Sequence, residues 1–342
     1  MFHSPANPVI RIAFFPVLLL FYLISQGAFL PMLAPVFAVI FFTLMPSKPP
    51  LSLMIKLLLM LLLVTAGVVI VGEQLIDSPT GFGLFCWTVL YWSFYRSHKD
   101  PKDLLSTFML LVVIIMSVVN LQFGVSTQGL PLLMLESYLY ALGATYIGFL
   151  LFPGDEKEVL PDEKTSEGSE PNLGLILCKT TAMSITLAAL IGTGSTQAIL
   201  IGITISNMIR IPVSQDRRIF SQNRLVTTTI GILFTIPVML ATLSGMPGWV
   251  LLGVTLFLGL QLACYAIRRQ CRMSVYQLLF TNYIILNNQV LTYQGADPFT
   301  AHLTRLIAIS LAILIGVMIL SLVRSKRAKL SIYNANSPIS DM

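Results

Sequence analysis

Charge is scarce in this chain: only 11% of its 342 residues are Asp, Glu, Lys or Arg, where a soluble domain carries about 25%. A water-soluble globular fold is therefore excluded. Histidine and cysteine are scarce as well. His3, His98 and His302 lie too far apart in the sequence to suggest a ligand set. Cys86, Cys178, Cys264 and Cys271 show no CxxC spacing, so the sequence predicts no metal, no cofactor and no disulfide framework. A membrane enzyme acting on lipid-linked substrates needs acids, bases or metal ligands gathered at one interface. The acids expected outside are only Glu73, Asp77 and Asp297, which argues against an enzyme.

What remains is apolar: 56% of the residues, with a mean hydropathy of +0.83. A hydrocarbon core about 30 Å thick takes around 20 apolar residues per helix, and a helix satisfies its own backbone groups where water is absent. The long runs without period-2 alternation predict an all-α integral membrane protein, not a barrel. Twelve spans are expected, near 9–27, 30–45, 52–72, 80–97, 102–121, 131–152, 173–192, 197–213, 224–243, 247–267, 273–292 and 299–323. The first resembles the later spans and is expected to remain as a helix. The second, interrupted by Pro31 and Pro35, and the eighth, ending in Ser206, Asn207 and Arg210, are expected to be half-spans or re-entrant.

Lys and Arg are missing from every second loop. GEQLIDSPTG, NLQFGVSTQG, IGTGSTQ, LSGMPG and YQGADP contain none, whereas Lys48 and Lys56, Arg96 and Lys99, Arg217 and Arg218, and Arg268, Arg269 and Arg272 fill the alternate loops. Cytoplasmic loops collect basic residues, so both termini are expected in the cytoplasm of a multi-pass inner-membrane protein. The net charge of +6 then reflects topology and contact with the anionic lipid heads of the bilayer, with no nucleic acid among the expected partners. The acidic stretch 153–172 reads as a solvated linker, and 324–342 as a basic, then polar, cytoplasmic tail.

The two sides of that linker match without gaps at an offset of 168: Arg11 with Lys179, Lys56 with Arg224, Pro79 with Pro247, Ser106 with Ser274, and Asn120 with Asn288. The chain reads as a duplication, with six helices in 1–152 and six in 173–323. Six is even, so the tandem repeats run parallel, related by a pseudo-two-fold along the membrane normal. Ligand sites in such proteins lie between repeats.

Two charges stand out inside the spans. Glu136, in the sixth, and Arg305, in the twelfth, fall at nearly equivalent positions, about 8 to 11 Å inside the extracytoplasmic helix end at 1.5 Å per residue. Intramembrane ionisable groups mark substrate and proton pathways, so Arg305 is a candidate for holding an anion and Glu136 for carrying a coupling proton. The competing reading is an ion pair that only docks the halves. The eleventh span is the most polar: Gln277, Thr281, Asn288 and Thr292 share one side, and Asn282, Gln289 and Tyr293 a neighbouring side. These residues serve either as a water-lined wall or as interhelical hydrogen-bonding glue.

The segment DRRIFSQNRLVTTTIGILFTIP enters its helix as Arg-x-x-x-Thr-x-x-Gly, with Arg224, Thr228 and Gly231. It resembles the repeat signature of the fusaric-acid-resistance-like (FUSC), aromatic-acid-exporter superfamily, and the two-times-six architecture is similar too. In the first half Lys56 is followed by Met60 and Leu63 where Thr and Gly would stand, and the linker is shorter than the cytoplasmic domain of larger members. The resemblance implies a bacterial inner-membrane efflux component for small organic carboxylate anions, aromatic ones among them, working with a periplasmic membrane fusion protein. The alternatives are a secondary transporter of another twelve-helix class, whose loop signature MPSKPPLSLMIK lacks, and a non-transporting subunit of an envelope complex.

Overall fold

A computed structural model describes residues 6–44, 47–99, 103–154, 173–194, 198–210 and 214–292. Over these the chain is all-helical, with α1 (Asn7–Ser25), α2 (Leu33–Leu44), α3 (Leu51–Leu75), α4 (Pro79–Lys99), α5 (Leu104–Phe123), α6 (Leu130–Leu151), α7 (Leu173–Gly192), α8 (Ala198–Arg210), α9 (Ser214–Leu243), α10 (Gly248–Arg268) and α11 (Met273–Thr292). Six of them, α1, α3, α5, α6, α7 and α10, are long and apolar enough to cross a membrane, which makes this a multi-pass membrane protein. The twelfth expected span, 299–323, lies outside the described residues.

Helix ends follow local chemistry. Asp103 caps α5, its carboxylate accepting from the Ser106 N–H at 3.2 Å, and Gly124 closes the same helix in the left-handed conformation, φ +63°. Pro8 sits in the first turn of α1, where its missing N–H costs nothing. α9 starts ten residues before the expected span: its polar first turns, SQDRRIFSQN, fall in the expected basic loop, yet Arg, Gln and Ser tolerate a helix once an apolar run continues it.

The chain forms two compact units, and neither follows the linker. Unit 1 takes Met1–Leu63, Gly129–Lys164 and Gln222–Leu306; unit 2 takes Val64–Gln128, Thr165–Ser221 and Ile307–Met342. In unit 1, α2 is enclosed by α1, α6 and α11, and α1 also packs on α6, α10 and α11. The seam of α1, α2 and α6 is aromatic. A Cβ on Gly148 would stand 2.8 Å from a Phe42 ring carbon and 3.1 Å from one of Phe15, so only glycine lets α6 approach this closely. Tyr138, fully buried beside Phe37 and Phe41, donates its hydroxyl to the Met54 carbonyl at 2.7 Å. In unit 2, α4 packs on α5 and α7, while α8 is enclosed by α4, α5 and α7. Here Gly202 meets Ile114, whose Cγ2 would lie 2.9 Å from an added Cβ.

α2 and α8 have 12 and 13 residues, about 18 to 20 Å at 1.5 Å per residue, short of a hydrocarbon core of about 30 Å. Both are buried along apolar faces, Ala34, Phe37, Ala38, Phe41 and Phe42 in one and Ala198, Ile201, Ile205 and Ile209 in the other. Short helices survive at membrane depth when protein surrounds them.

Candidate functional site

The polar helix α11 lies in unit 1 against α1, α2 and α10, and its two sides differ. Tyr276, Phe280, Tyr283, Asn287 and Val290 recur at helical spacing and are buried, as are Asn282 and Leu286 beside them. Gln277, Thr281 and Asn288 form a half-buried flank, Gln289 is also half-buried, and Thr292 at the end is exposed. The expected polar faces are therefore split. Asn282 is part of the core, Gln277, Thr281, Asn288 and Gln289 border it, and Tyr293 lies outside the described residues.

Each core group has a defined role. The Asn282 amide Nδ2 donates to the Thr227 hydroxyl of α9 at 3.2 Å. A Cβ on Gly231, one turn further along α9, would sit 3.0 Å from Leu286 and 3.6 Å from the Asn282 Cβ. So the glycine of the Arg-x-x-x-Thr-x-x-Gly motif is a contact point between α9 and α11. The motif's Arg224 and Thr228 lie in α9, but their side chains fall outside the described set. The Tyr283 hydroxyl donates to the Thr255 carbonyl of α10 at 2.7 Å.

Asn287 was missed by sequence reasoning, and it is the most telling of the amides. Its Nδ2 donates to the Tyr283 carbonyl one turn back at 2.8 Å, which fixes the orientation of the amide. Its Oδ1 and that of Asn288 are shielded from solvent with no hydrogen-bond partner among the described residues. A buried orphan acceptor costs about 1–3 kcal/mol, and each of these oxygens can accept from a donor: a water, a hydroxyl, an N–H or a protonated carboxyl.

Glu136 stands on the exposed face of α6, in a row with Leu132, Leu139, Tyr140 and Ile147. It has no hydrogen bond or ion pair among the described residues, and Arg305, its expected counterpart, lies outside them. The ion pair that the described residues do contain is at the cytoplasm-facing end by the expected topology, where Arg96 Nε meets Asp103 at 2.8 Å. Burial alone would raise the Asp103 carboxyl, but the hydrogen bonds and charge of Arg96 and the N–H groups of Ser106 and Leu105 hold it below the usual carboxylate value.

In unit 2 a second carboxylate is fully engaged. Glu73, near the end of α3, accepts from the Thr127 N–H at 2.6 Å and the Thr127 hydroxyl at 2.8 Å on one oxygen, and from Ser126 at 3.1 Å on the other. With its amide turned so that nitrogen faces acceptors, Asn120 adds a fourth donor at 3.2 Å and bonds the Val125 carbonyl at 2.7 Å. Glu73 thus ties α3 to the loop that follows α5, a structural task. Trp87 of α4 stacks on Tyr91 at 5.6 Å and donates to Thr181 of α7 at 3.4 Å, so these aromatics join two helices.

No curated protein and no solved structure matches the chain. Residues 8–147, from the first turn of α1 to the last turns of α6, match the model of a family described as "Protein of unknown function (DUF2955)".

Proposed function

We propose that this chain is an inner-membrane transporter, not an enzyme, that moves small organic carboxylates, aromatic ones among them, out of a bacterial cytoplasm. One observation carries the reading: α2, too short to cross a hydrocarbon core, is enclosed by other helices, among them α11, whose Asn287 and Asn288 have acceptor oxygens without a partner among the described residues. Broken helices at the bilayer midplane, backed by polar groups, are where secondary transporters place their solutes.

In this mechanism Arg305 selects the anion, Gln277, Thr281, Asn288 and Gln289 line its path, and Asn282 holds α11 to α9 behind them. Asn287 accepts a hydrogen bond from the solute's own donor, a ring hydroxyl or the protonated acid. Glu136 carries the coupling proton. The twelve-helix, two-repeat architecture is part of the proposal. It is supported by the 168-residue offset and by helix pairings that recur across it: α1 on α2 and α7 on α8, α2 on α11 and α8 on α5, α1 on α11 and α7 on α5. Membership of the fusaric-acid-resistance-like superfamily, cytoplasmic termini and a periplasmic membrane fusion partner rest on the motif around Gly231 and on the basic loops.

Efflux of a radiolabelled aromatic carboxylate from cells with and without the protein tests the reading, with Glu136→Gln and Arg305→Gln as variants. Faster efflux with the protein, lowered by Arg305→Gln and made less pH-dependent by Glu136→Gln, is expected. Flux and pH dependence unchanged in both variants would remove these two residues from the mechanism.

A further inference from the structure

The turn from α10 into α11 reads RRQCR, Arg268 to Arg272, at the end of these helices that the expected topology puts at the cytoplasm. Arg268 and Arg269 are exposed, and neither has an ion pair among the described residues. Arg269 lies over the Tyr265 ring, 5.8 Å from its centre, which holds it along α10. The sequence has no Asp or Glu between Asp216 and Asp297, so neither helix supplies a counter-charge.

The 168-residue offset sets 264–272 against 96–104, and the comparison is close. Each stretch carries three Lys or Arg, but the first adds Asp100 and Asp103 while the second has no acid. In the first, Arg96 meets Asp103 at 2.8 Å. Cys264 and Cys271 stand at those two offset positions, and Arg268 stands where the first stretch has Asp100. The same turn thus occurs once with its own anion and once without. Leading up to the second turn, Gly253, Phe257, Gln261 and Cys264 are exposed at helical spacing on α10. They lie on the side away from the buried Leu251, Thr255, Gly259 and Leu262.

We propose that this turn holds the phosphate headgroup of an anionic phospholipid. Arg268 and Arg269 take the phosphate, since guanidinium forks match its oxygens in pairs, and Arg272 adds to the local positive field. The acyl chains lie along the mostly apolar stripe from Gly253 to Cys264, a contact that a soluble anion would not make. Juxtamembrane arginines attract anionic lipid; here two of them lack the internal carboxylate that the first repeat provides. This inference rests on the membrane-embedded fold and is independent of transport, because none of its readouts is a flux.

The test uses full-length protein in which Cys86, Cys178 and Cys271 are replaced by Ala or Ser and the exposed Cys264 carries a bimane label. It is reconstituted in phosphatidylcholine vesicles holding a minor share of brominated phosphatidylglycerol or brominated phosphatidylcholine. Brominated phosphatidylglycerol should quench the label at the lower mole fraction. That fraction should rise about fivefold for each charge removed in Arg268→Gln and Arg269→Gln, and less in Arg268→Lys and Arg269→Lys. A bimane at Trp92→Cys, one turn before Arg96, with Cys264 also replaced, should show a weaker preference. Equal quenching by the two lipids, or a preference that survives the double Gln variant, would overturn the site. So would an equal preference at Trp92→Cys, which would mean attraction to the whole basic surface. Inorganic phosphate added at constant ionic strength should leave the preference intact, and its loss would overturn the lipid as occupant.

Discussion

The Arg11 guanidinium, buried in α1, donates through Nη1 to the carbonyls of Phe152 at 2.9 Å and Gly154 at 2.8 Å, just past the end of α6. Its carbon lies 4.0 Å from the centre of the Phe149 ring, and Asn7 adds a bond to the Pro153 carbonyl. The cation therefore caps the negative end of α6 and orients the start of the linker. Arg11→Met keeps the stem and leaves two part-buried carbonyls without their donor, at about 1–3 kcal/mol. A thermal melt in detergent should show the loss, with Arg11→Lys recovering part of it, since Lys179 stands at the offset position, also buried.

Asn287 separates structure from function. Asn287→Leu removes an orphan acceptor and keeps the branched shape, while adding bulk and losing the bond to the Tyr283 carbonyl, so unfolding stability should change by no more than about 1 kcal/mol, while solute flux falls. Falling stability with unaltered flux would make Asn287 a packing residue.

Glycines on helices divide by what surrounds them. Gly231→Val forces a branched side chain against Leu286 and should destabilise by about 1–3 kcal/mol. Nothing lies within 4 Å of a Cβ on Gly143, so Gly143→Ala should be neutral or stabilising by up to about 1 kcal/mol. Melting temperatures of the two variants should shift in opposite directions or by clearly different amounts.

Acid should loosen the start of α5. The folded Asp103 carboxyl titrates below its ordinary value, so its contribution is complete above that value, about 3.9, and is lost as the pH falls through the lower folded value. Asp103→Ala should cost about 1 kcal/mol of capping at neutral pH and flatten this acid dependence. Hydrogen exchange of the first turn of α5, followed from pH 6 to pH 3, measures both.

Much of the helix inventory is legible in the sequence because a membrane requires long apolar runs, and the prolines at 31 and 35 correctly marked α2 as short. Which side of α11 is buried was not legible. In water a hydrophobic face declares itself against a polar one, but in lipid both faces are apolar, and one residue of register turns the helix by about 100°. Spacing from Gln277 points to Asn288, while its neighbour Asn287 lies in the core. The pairing of α1 with α10 was likewise invisible, because periodicity gives the face a helix buries and never the helix that covers it.

Flux through purified protein in liposomes tests the central claim most directly. Vesicles loaded with a labelled hydroxybenzoate and holding the wild-type chain should release it faster than protein-free vesicles, and Asn287→Leu vesicles with equal folded protein should release it more slowly. Equal release from all three, across a panel of carboxylates and an imposed pH gradient, would contradict transport.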